Sequence, residues 1–353
     1  MRIKSKDLAK LLGVSTATIS LLLNNKPGLS DELRSRLTEQ IKDLGYGNLL
    51  PETTTQMPTI LNATTSGKKT IAYIVYTFYD NDNDNGSFFP AVLEGVETEA
   101  RERGYDVRVL HMGRGVDCTP RKCLNREETL GMIVQLDFLT DEIADELAAV
   151  GLPFVVLDSY RYDRRISAVC VNNEDGIFNA VKFLVNHGHT QIGYVASGRD
   201  TNCFIDRRRC FHLAMREYKL QDRPEFRFFA GGFDCSAVST LAKQWETLTN
   251  MPTALIVEND TLAWRAMKAL KKLNYRIPED ISIIGFDDKS IASLTDPPLT
   301  TIRVHRALLG REAVIMLDNH WRLEKSGFLD VPSKLSIGVT FIERESAGIA
   351  KQQ

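Results

Sequence analysis

The chain has 353 residues, enough for two or three domains and a sizeable core. Its formal net charge is −2, but residues 1–70 carry 10 Lys and Arg against 6 Asp and Glu, a net of +4, which leaves −6 for the rest. No apolar run approaches the length of a membrane span and the N-terminus lacks a secretory h-region, which argues against membrane and secreted proteins. We therefore expect a cytoplasmic protein whose basic N-terminal piece has a polyanion as partner.

Residues 1–46 are predicted to form three short helices. Apolar residues recur at helical spacing in the first and third, and Gly13 breaks the first helix. A helix, a glycine-containing turn and a second helix make a helix-turn-helix. The supporting positions are the apolar Leu8, Ala9 and Leu12, then Leu33, Leu37, Ile41 and Leu44, the N-cap candidates Ser5, Ser15 and Ser30, and the terminating Gly45.

The second helix, in "GVSTATISLLLNN", has one face of ordinary core residues and one unusual leucine. At 100° per residue, Ile19, Leu22 and Leu23 fall on the same side, whereas Leu21 falls opposite and is expected to be exposed. A single exposed leucine is common and needs no function. The alternative is a recognition helix, because small residues let a helix approach base edges and an apolar side chain suits a thymine methyl group.

Residues 47–69 are rich in threonine, contain two prolines and show little apolar periodicity, which indicates a linker. From Lys69 onward, short apolar runs such as "TIAYIVY", "LGMIVQL", "LPFVVLD", "QIGYVAS" and "ISIIGFDD" alternate with longer amphipathic stretches such as "GIFNAVKFLVNHG". This βα alternation predicts an α/β fold with doubly wound parallel sheets.

The segments "IKSKDLAKLLGVSTATISLLLNN" and "LSDELRSRLTEQIKDLGY" resemble the DNA-binding headpiece of the lac repressor (LacI/GalR) family. The resemblance implies a sequence-specific regulator, expected to be a repressor, that binds operator DNA as a homodimer. By position it implies base contacts from Thr16, Ala17 and Leu21, phosphate contacts from Ser5, Ser15, Thr18, Ser20 and Asn24, and a close approach of the loop backbone to DNA at Gly28. Many relatives have Arg at the position of Leu21, so the operator should differ there.

The segment after "LGY" departs from the family pattern. The family has a hinge helix of the type N-x-x-A-R-x-L there, whereas this chain has no A-R-x-L and carries Pro51 and Pro58. We therefore expect a flexible tether at 47–69. The body resembles the family's ligand-binding core, which is similar to periplasmic binding proteins. This implies a headpiece at 1–46, a core at 70–346 and a tail at 347–353. The two core subdomains would span about 70–160 with 303–325, and 161–300 with 330–346, joined by crossovers near 158–171, 299–305 and 325–335.

A ligand site is expected where strands of the two sheets end, because open α/β sheets bind ligands beyond the carboxyl ends of their strands. Asp158, Asn259 and Asp287 each follow a predicted strand, and Arg207 lies in the helix after "YVAS". Aromatic walls are predicted from Phe88, Phe89 and Phe233. All seven also match ligand positions of the family, and together they favour a sugar or related polyol as effector. The alternatives are helix or turn caps for the two aspartates and core packing for the aromatic residues. Thr201 and Cys203 are expected to border the site.

No metal or cofactor is expected. "DNDNDNG" (Asp80 to Gly86) fails as a calcium loop because position 12 would be Val92, and the His187/His189 pair has no further ligands nearby. The six cysteines form no Cys-x-x-Cys pair and are expected to be free thiols in a reducing compartment. Two other classes stay open: a sugar-binding module without transcriptional action, and an enzyme, against which the lack of a nucleophile–base motif argues. Operator protection in a footprint would separate the regulator from both.

Overall fold

The structure is a computed structural model that describes residues 9–23, 33, 36–38, 40–41, 69–77, 88–113, 119–161, 163–325 and 331–351. The chain divides into two compact units, Met1–Ser66 and Gly67–Gln353. The predicted contacts at Ser5, Asn24 and Gly28, the side chain of Ala17, most of the 47–69 linker and the Asp80–Gly86 loop lie outside the described residues. Within them, no helix is both long and apolar enough to span a bilayer.

In the first unit, helix α1 (Thr16–Leu23) packs its predicted apolar face inward. Ile19 is fully buried and Leu22 nearly so, against Ala9, Leu37 and Ile41, which confirms the assignment of this face. The helix begins where expected, because Ser15 Oγ accepts a hydrogen bond from the Thr18 amide at 3.0 Å. The preceding turn contains Gly13 at φ +66°, a left-handed conformation that glycine adopts without strain.

The second unit contains twelve described strands and a series of helices between them. The strands are β1 Thr70–Thr77, β2 Asp106–Gly113, β3 Thr129–Gln135, β4 Phe154–Leu157, β5 Ser167–Val171, β6 Ile192–Ala196, β7 Arg227–Phe229, β8 Ala254–Val257, β9 Ser282–Ile284, β10 Thr301–Val304, β11 Lys334–Ile337 and β12 Val339–Ile342. The helices are α2 Phe88–Glu102, α3 Pro120–Cys123, α4 Asp141–Ala148, α5 Asn173–Asn186, α6 Asn202–Glu217, α7 Ser236–Glu246, α8 Asp260–Lys272, α9 Ser290–Leu294 and α10 Arg306–Lys325.

Two parallel sheets form the body, as the βα alternation predicts. The first sheet has the order β11-β5-β4-β3-β1-β2 and the second the order β7-β6-β8-β9, while β10 and β12 form an antiparallel pair. In both sheets successive strands are added first on one side of the starting strand and then on the other, which is a doubly wound topology. Ligands of such sheets bind where this order switches, beyond the carboxyl ends of the strands. The central strands β3, β5, β6 and β8 are buried along their whole length, because helices cover both faces.

The predicted subdomain boundaries are wrong at two strands. We expected residues 161–300 and 330–346 to build the second subdomain, but β5 pairs with β4, and β11 pairs with β5, in the first sheet. The chain therefore passes from the first subdomain to the second after Val171 and returns to the first after β10. It crosses to the second again at Gly338, between β11 and β12. The physical reason is that β5 needs a parallel neighbour on each side to satisfy its backbone, and β4 and β11 supply both.

The predicted tail is docked on the core as far as the structure describes it. Ala347 is buried, the Gly348 carbonyl is 3.0 Å from His189 Nε2, and the Ala350 amide donates to the His187 carbonyl. The other ring nitrogen of His189 lies 2.9 Å from the Thr253 hydroxyl, so both nitrogens of this ring have protein partners. The described residues contain no group of three or more acidic, His or Cys side chains placed to hold a metal ion.

The expectation of six free thiols is wrong at Cys123. Cys123, the last residue of α3, is disulfide-bonded, whereas Cys170, Cys203, Cys210 and Cys235 are free thiols. Cys118 lies outside the described residues. The absence of a Cys-x-x-Cys motif does not exclude a disulfide, because a bridge depends on where two side chains meet in the fold and not on one spacing.

Candidate functional site

A cavity open to solvent lies where the strands of both sheets end. Segments that follow β3, β4, β6, β8 and β9 converge there, together with the first turn of α2. All seven residues predicted to contact a ligand line this one cavity: Phe88, Phe89, Asp158, Arg207, Phe233, Asn259 and Asp287. Thr201 and Cys203, expected at its border, line it as well.

Arg207 is the most firmly held polar side chain of the cavity. It is only 2% exposed, and its guanidinium donates to Asn173 Oδ1 at 2.9 Å, to the Glu258 carbonyl at 2.6 Å and to Asp287 Oδ1 at 3.1 Å. The guanidinium also stacks 3.6 Å from the centroid of the Phe286 ring. Two of its five N–H groups have no hydrogen-bond partner among the described residues, so the fork can donate to a bound molecule.

Asp287 belongs to a loop with unusual backbone geometry. Its φ is +103°, a region that non-glycine residues rarely adopt, and its amide donates to the Ile302 carbonyl of β10 at 2.8 Å. Its carboxylate pairs with two buried cations, because Arg207 donates to Oδ1 and Lys289 Nζ lies 3.7 Å from Oδ2. The surrounding hydrogen bonds thus fix Asp287 at the cavity despite the strain of its backbone.

Asp158 and Asn259 are also placed by local backbone features. Asp158 follows β4 with φ +52°, and its carboxylate accepts from the Val171 amide at 3.3 Å. Burial raises the pKa of Asp158 to about 6, against the opposing effect of the Arg207 charge. Asn259 caps α8, because its side-chain oxygen accepts from the Leu262 amide at 2.9 Å. Among the polar residues predicted to line the site, Asn259 is therefore the one that caps a helix.

Aromatic rings form apolar surfaces at the cavity. Phe88 and Phe89 meet edge to face with centroids 6.2 Å apart at the start of α2. Phe233 packs 5.8 Å from Phe204, and the Arg199 guanidinium lies 4.8 Å from the centroid of the Phe233 ring. Both Phe88 and Phe233 also belong to hydrophobic clusters, so core packing and cavity lining are not exclusive here.

Sequence reasoning missed seven lining residues: Gln135, Leu136, Asp137, Leu157, Arg199, Phe204 and Lys289. The sequence carried a signal for Gln135 to Asp137, since Gln135 ends β3 and the next two residues follow it, just as Asp158 follows β4. For Lys289 there was none, because a lysine next to "GFDD" normally marks an exposed turn, whereas this one is 5% exposed.

Two buried carboxyls lie just behind the cavity wall. Burial raises the pKa of Asp260 to about 8, and its carboxyl interacts with the Thr301 hydroxyl and the Lys289 amide. Burial also raises the pKa of Glu258 to about 7, although Ser197 donates to it through both its amide and its hydroxyl. The Cys203 thiol has a pKa raised well above its usual range, so it is no thiolate nucleophile at neutral pH. Donors, acceptors and aromatic faces suit the binding of a polyhydroxylated molecule rather than covalent chemistry.

The described part of the first unit presents a short polar surface on α1. Thr16 and Ser20 are exposed, and Thr18 and Leu21 are half-buried. Leu21 is thus less exposed than expected, but it is absent from the cluster formed by Ile19, Leu22 and their neighbours. The exposed Ser15 hydroxyl also lies 2.8 Å from the Thr18 hydroxyl, so these two predicted phosphate contacts are already paired with each other.

Comparison with protein families gives two matches. Residues 5–48 match the family described as "Bacterial regulatory proteins, lacI family", and residues 181–347 match the "Periplasmic binding protein-like domain". The HTH-type transcriptional repressor PurR of Aliivibrio salmonicida is 29% identical over 315 residues, which cover 88% of this chain and 90% of the relative.

Two solved structures share the fold over nearly the full length. One is the complex of the transcriptional regulator CelR with cellobiose, with a TM-score of 0.67 and 21% identity, covering 98% of this chain and 100% of the other. The second is the lac repressor dimer bound to operator and the anti-inducer ONPF, with a TM-score of 0.66 and 22% identity, covering 99% and 100%.

Proposed function

Since the chain belongs to the lacI family of bacterial regulatory proteins, whose members bind DNA and regulate transcription, we propose that the cavity of its second unit holds the effector and that the effector is a sugar or a related polyol. The observation that carries this proposal is the convergence of Arg207, Asp287, Asp158 and Asn259 with two aromatic walls on a single cavity. Guanidinium, carboxylate and amide groups pair with hydroxyls, while aromatic faces pack against C–H groups.

On the DNA side, we propose that α1 is the recognition helix of a homodimer that binds a pseudo-palindromic operator in the cytoplasm. The exposed Thr16 and the half-buried Leu21 would contact base edges, and Ser15, Thr18 and Ser20 would contact phosphates. Ser5, Ala17, Asn24 and Gly28 complete the proposed surface by their positions in the sequence. A symmetric dimer places two such helices in successive major grooves, about one helical turn apart. Sedimentation analysis of the free protein tests the dimer.

A panel of neutral sugars tests the proposed effector class. Thermal melts of the full chain are recorded with cellobiose, monosaccharides and the corresponding polyols, and a binder is then measured by calorimetry against Asp158→Asn. Loss of a carboxylate that accepts from ligand hydroxyls should weaken binding by about tenfold or more, since a hydrogen bond to a charged group contributes about 1.5–3 kcal/mol. The exposed Asp200→Asn is the matched control. Equal affinity in Asp158→Asn and the wild type would refute the assigned cavity.

Binding-site selection tests the proposed recognition helix. Leu21 lies outside the buried cluster of the first unit, so Leu21→Ala should leave thermal stability nearly unchanged while weakening operator binding by on the order of 1 kcal/mol. Leu21→Arg should shift the preference toward guanine, because a guanidinium can bond O6 and N7 of guanine together. A large loss of stability with an unchanged base preference would show that Leu21 is a core residue.

A further inference from the structure

Side-chain hydrogen bonds join the two subdomains beside the cavity. Ser159 and Tyr160 follow β4 of the first sheet, whereas Asn202 and Asp206 lie in α6, which follows β6 of the second. The Ser159 hydroxyl donates to Asn202 Oδ1 at 2.7 Å, and Asn202 Nδ2 donates to the Tyr160 carbonyl at 3.2 Å. The Tyr160 hydroxyl donates to the Asp206 carboxylate, with both oxygens within 2.9 Å. We call these four residues the clasp.

Each half of the clasp is fixed to its own subdomain. Tyr160 is 7% exposed, packs with Ala168 and Cys170 of β5, and has Lys334 Nζ 3.1 Å from its ring centroid. On the other side, α6 buries Cys210, Phe211 and Ala214, and the centroid of the Phe211 ring lies 5.1 Å from that of Tyr194 in β6 of the second sheet. Because neither half can shift without disturbing packed residues, separation of the subdomains at this edge requires the clasp bonds to break.

The clasp also brackets two cavity residues in sequence. Asp158 immediately precedes Ser159, and Arg207 immediately follows Asp206. Asp158 holds a positive φ of +52°, which needs support from surrounding contacts, and the Ser159 and Tyr160 bonds begin at the next residue. The two segments that the clasp joins are therefore the ones that carry Asp158 and Arg207 to the same cavity.

We propose that Ser159, Tyr160, Asn202 and Asp206 are positioning residues that hold Asp158 opposite Arg207 and set how readily the cleft opens. The role for effector binding rests on the proposed function of the cavity; the control of cleft opening does not. A phenol donating to a carboxylate forms a charge-assisted bond, stronger than a neutral one, and this one is largely shielded from water. An effector that bridges the subdomains would act on the same opening that the clasp restrains.

The test compares two variants that each remove a tyrosine–aspartate hydrogen bond. Tyr160→Phe breaks the clasp bond. Tyr105→Phe breaks the 2.6 Å bond from Tyr105, which lies between α2 and β2, to Asp318 of α10, within the first subdomain. Amide hydrogen exchange of the full chain is measured by mass spectrometry without effector. In Tyr160→Phe, peptides spanning 154–171 and 199–217 should exchange about tenfold faster than in the wild type, since a bond to a charged group is lost. In Tyr105→Phe these peptides should exchange at the wild-type rate.

Asn202→Ala removes the other clasp bonds from the opposite subdomain and should reproduce the exchange pattern of Tyr160→Phe. Wild-type exchange at the cleft in both clasp variants would overturn the proposal, as would faster exchange spread evenly over the whole second unit, which is the pattern of a general loss of stability. Because no effector is present, neither result bears on the sugar panel. Failure of that panel would in turn leave the control of cleft opening standing.

Discussion

Arg207 combines its proposed role in binding with a structural one. Its charge is buried and is balanced by Asp287, which is itself 5% exposed. Among the described residues, truncation in Arg207→Ala leaves Asp287 paired only with the more distant Lys289 ammonium. Removing one partner of a buried ion pair costs about 3–5 kcal/mol. We expect Arg207→Ala to lower the free energy of unfolding by that order in urea titrations. Asp158→Asn should cost far less, because its amide oxygen can still accept from Val171. Equal losses in both variants would contradict this assignment.

The raised pKa of Asp260 should make the stability of the folded chain depend on pH. The pKa is about 8 in the folded chain against an ordinary value of 3.8, so the folded state binds more protons between those values. Stability then falls as the pH rises through this window, by up to about 1.4 kcal/mol per pH unit for one such group, and levels off above pH 8. Asp260→Asn mimics the protonated acid, since its oxygen can accept from the Lys289 amide while its NH₂ donates to the Thr301 hydroxyl.

The variant should therefore lose stability less steeply than the wild type between pH 5 and 8. Urea titrations at several pH values give the two slopes. Asp296→Asn, at an aspartate whose side chain is 95% exposed, is the control and should follow the wild type. Parallel curves for Asp260→Asn and the wild type would mean that Asp260 is ionised throughout the range.

Helices α2 and α10 cross in close contact at two glycines. Gly310 lies against the Val92 carbonyl and Gly95 against the Ala307 carbonyl, so that a Cβ added at either glycine would overlap backbone atoms of the other helix. In an exposed helix, Gly→Ala adds about 0.5–1 kcal/mol of stability. Here the sign should reverse, because backbone atoms cannot move aside as a flexible side chain can.

We expect Gly310→Ala to lower the free energy of unfolding by about 1–3 kcal/mol, as for other overpacked sites. Glu97→Ala, on the exposed face of α2, is the control and should have little effect. Chemical denaturation of the two variants and the wild type gives the comparison. A Gly310→Ala variant as stable as the wild type would show that the helices can separate at this crossing without loss.

The sequence predicts individual helices and strands better than it predicts which distant strands pair. Apolar periodicity located α1 and its buried face, and the rule that ligands sit beyond strand ends brought Asp158, Asn259 and Asp287 to one cavity. Pairing between distant strands could not be predicted in the same way. β11 is only four residues long, and its residues pair with residues of β5 that lie 166 positions earlier, such as Leu335 with Val169. No local sequence pattern indicates a contact over that distance. For the same reason the sequence misplaced two of the crossovers.

At the scale of the whole molecule, the loop that carries Asp287 is bonded to the segments that cross between subdomains. Asp288 accepts from Arg303 of β10 and from Arg344, which follows β12, each at 2.7 Å. Its carbonyl accepts from Arg306 at the start of α10 at 3.0 Å. A ligand that contacts Asp287 would therefore act on a loop that is hydrogen-bonded to the segments connecting the two subdomains. Such coupling is a difference in ligand affinity between two arrangements, and it acts equally in both directions.

Thermodynamic linkage ties the effect of effector on operator binding to the effect of operator on effector binding. If the effector changes operator affinity by some factor, operator DNA must change effector affinity by the same factor, and values of about 5- to 150-fold are typical. Calorimetric titration of a sugar from the panel into the protein, with and without saturating operator duplex, measures one factor. Operator titrations with and without the sugar measure the other. A scrambled duplex of equal length is the control for non-specific phosphate binding, which should leave sugar affinity unchanged. Two factors that disagree beyond error would mean that the sugar binds at more than one site, and two factors of one would mean that the bound sugar is not the effector.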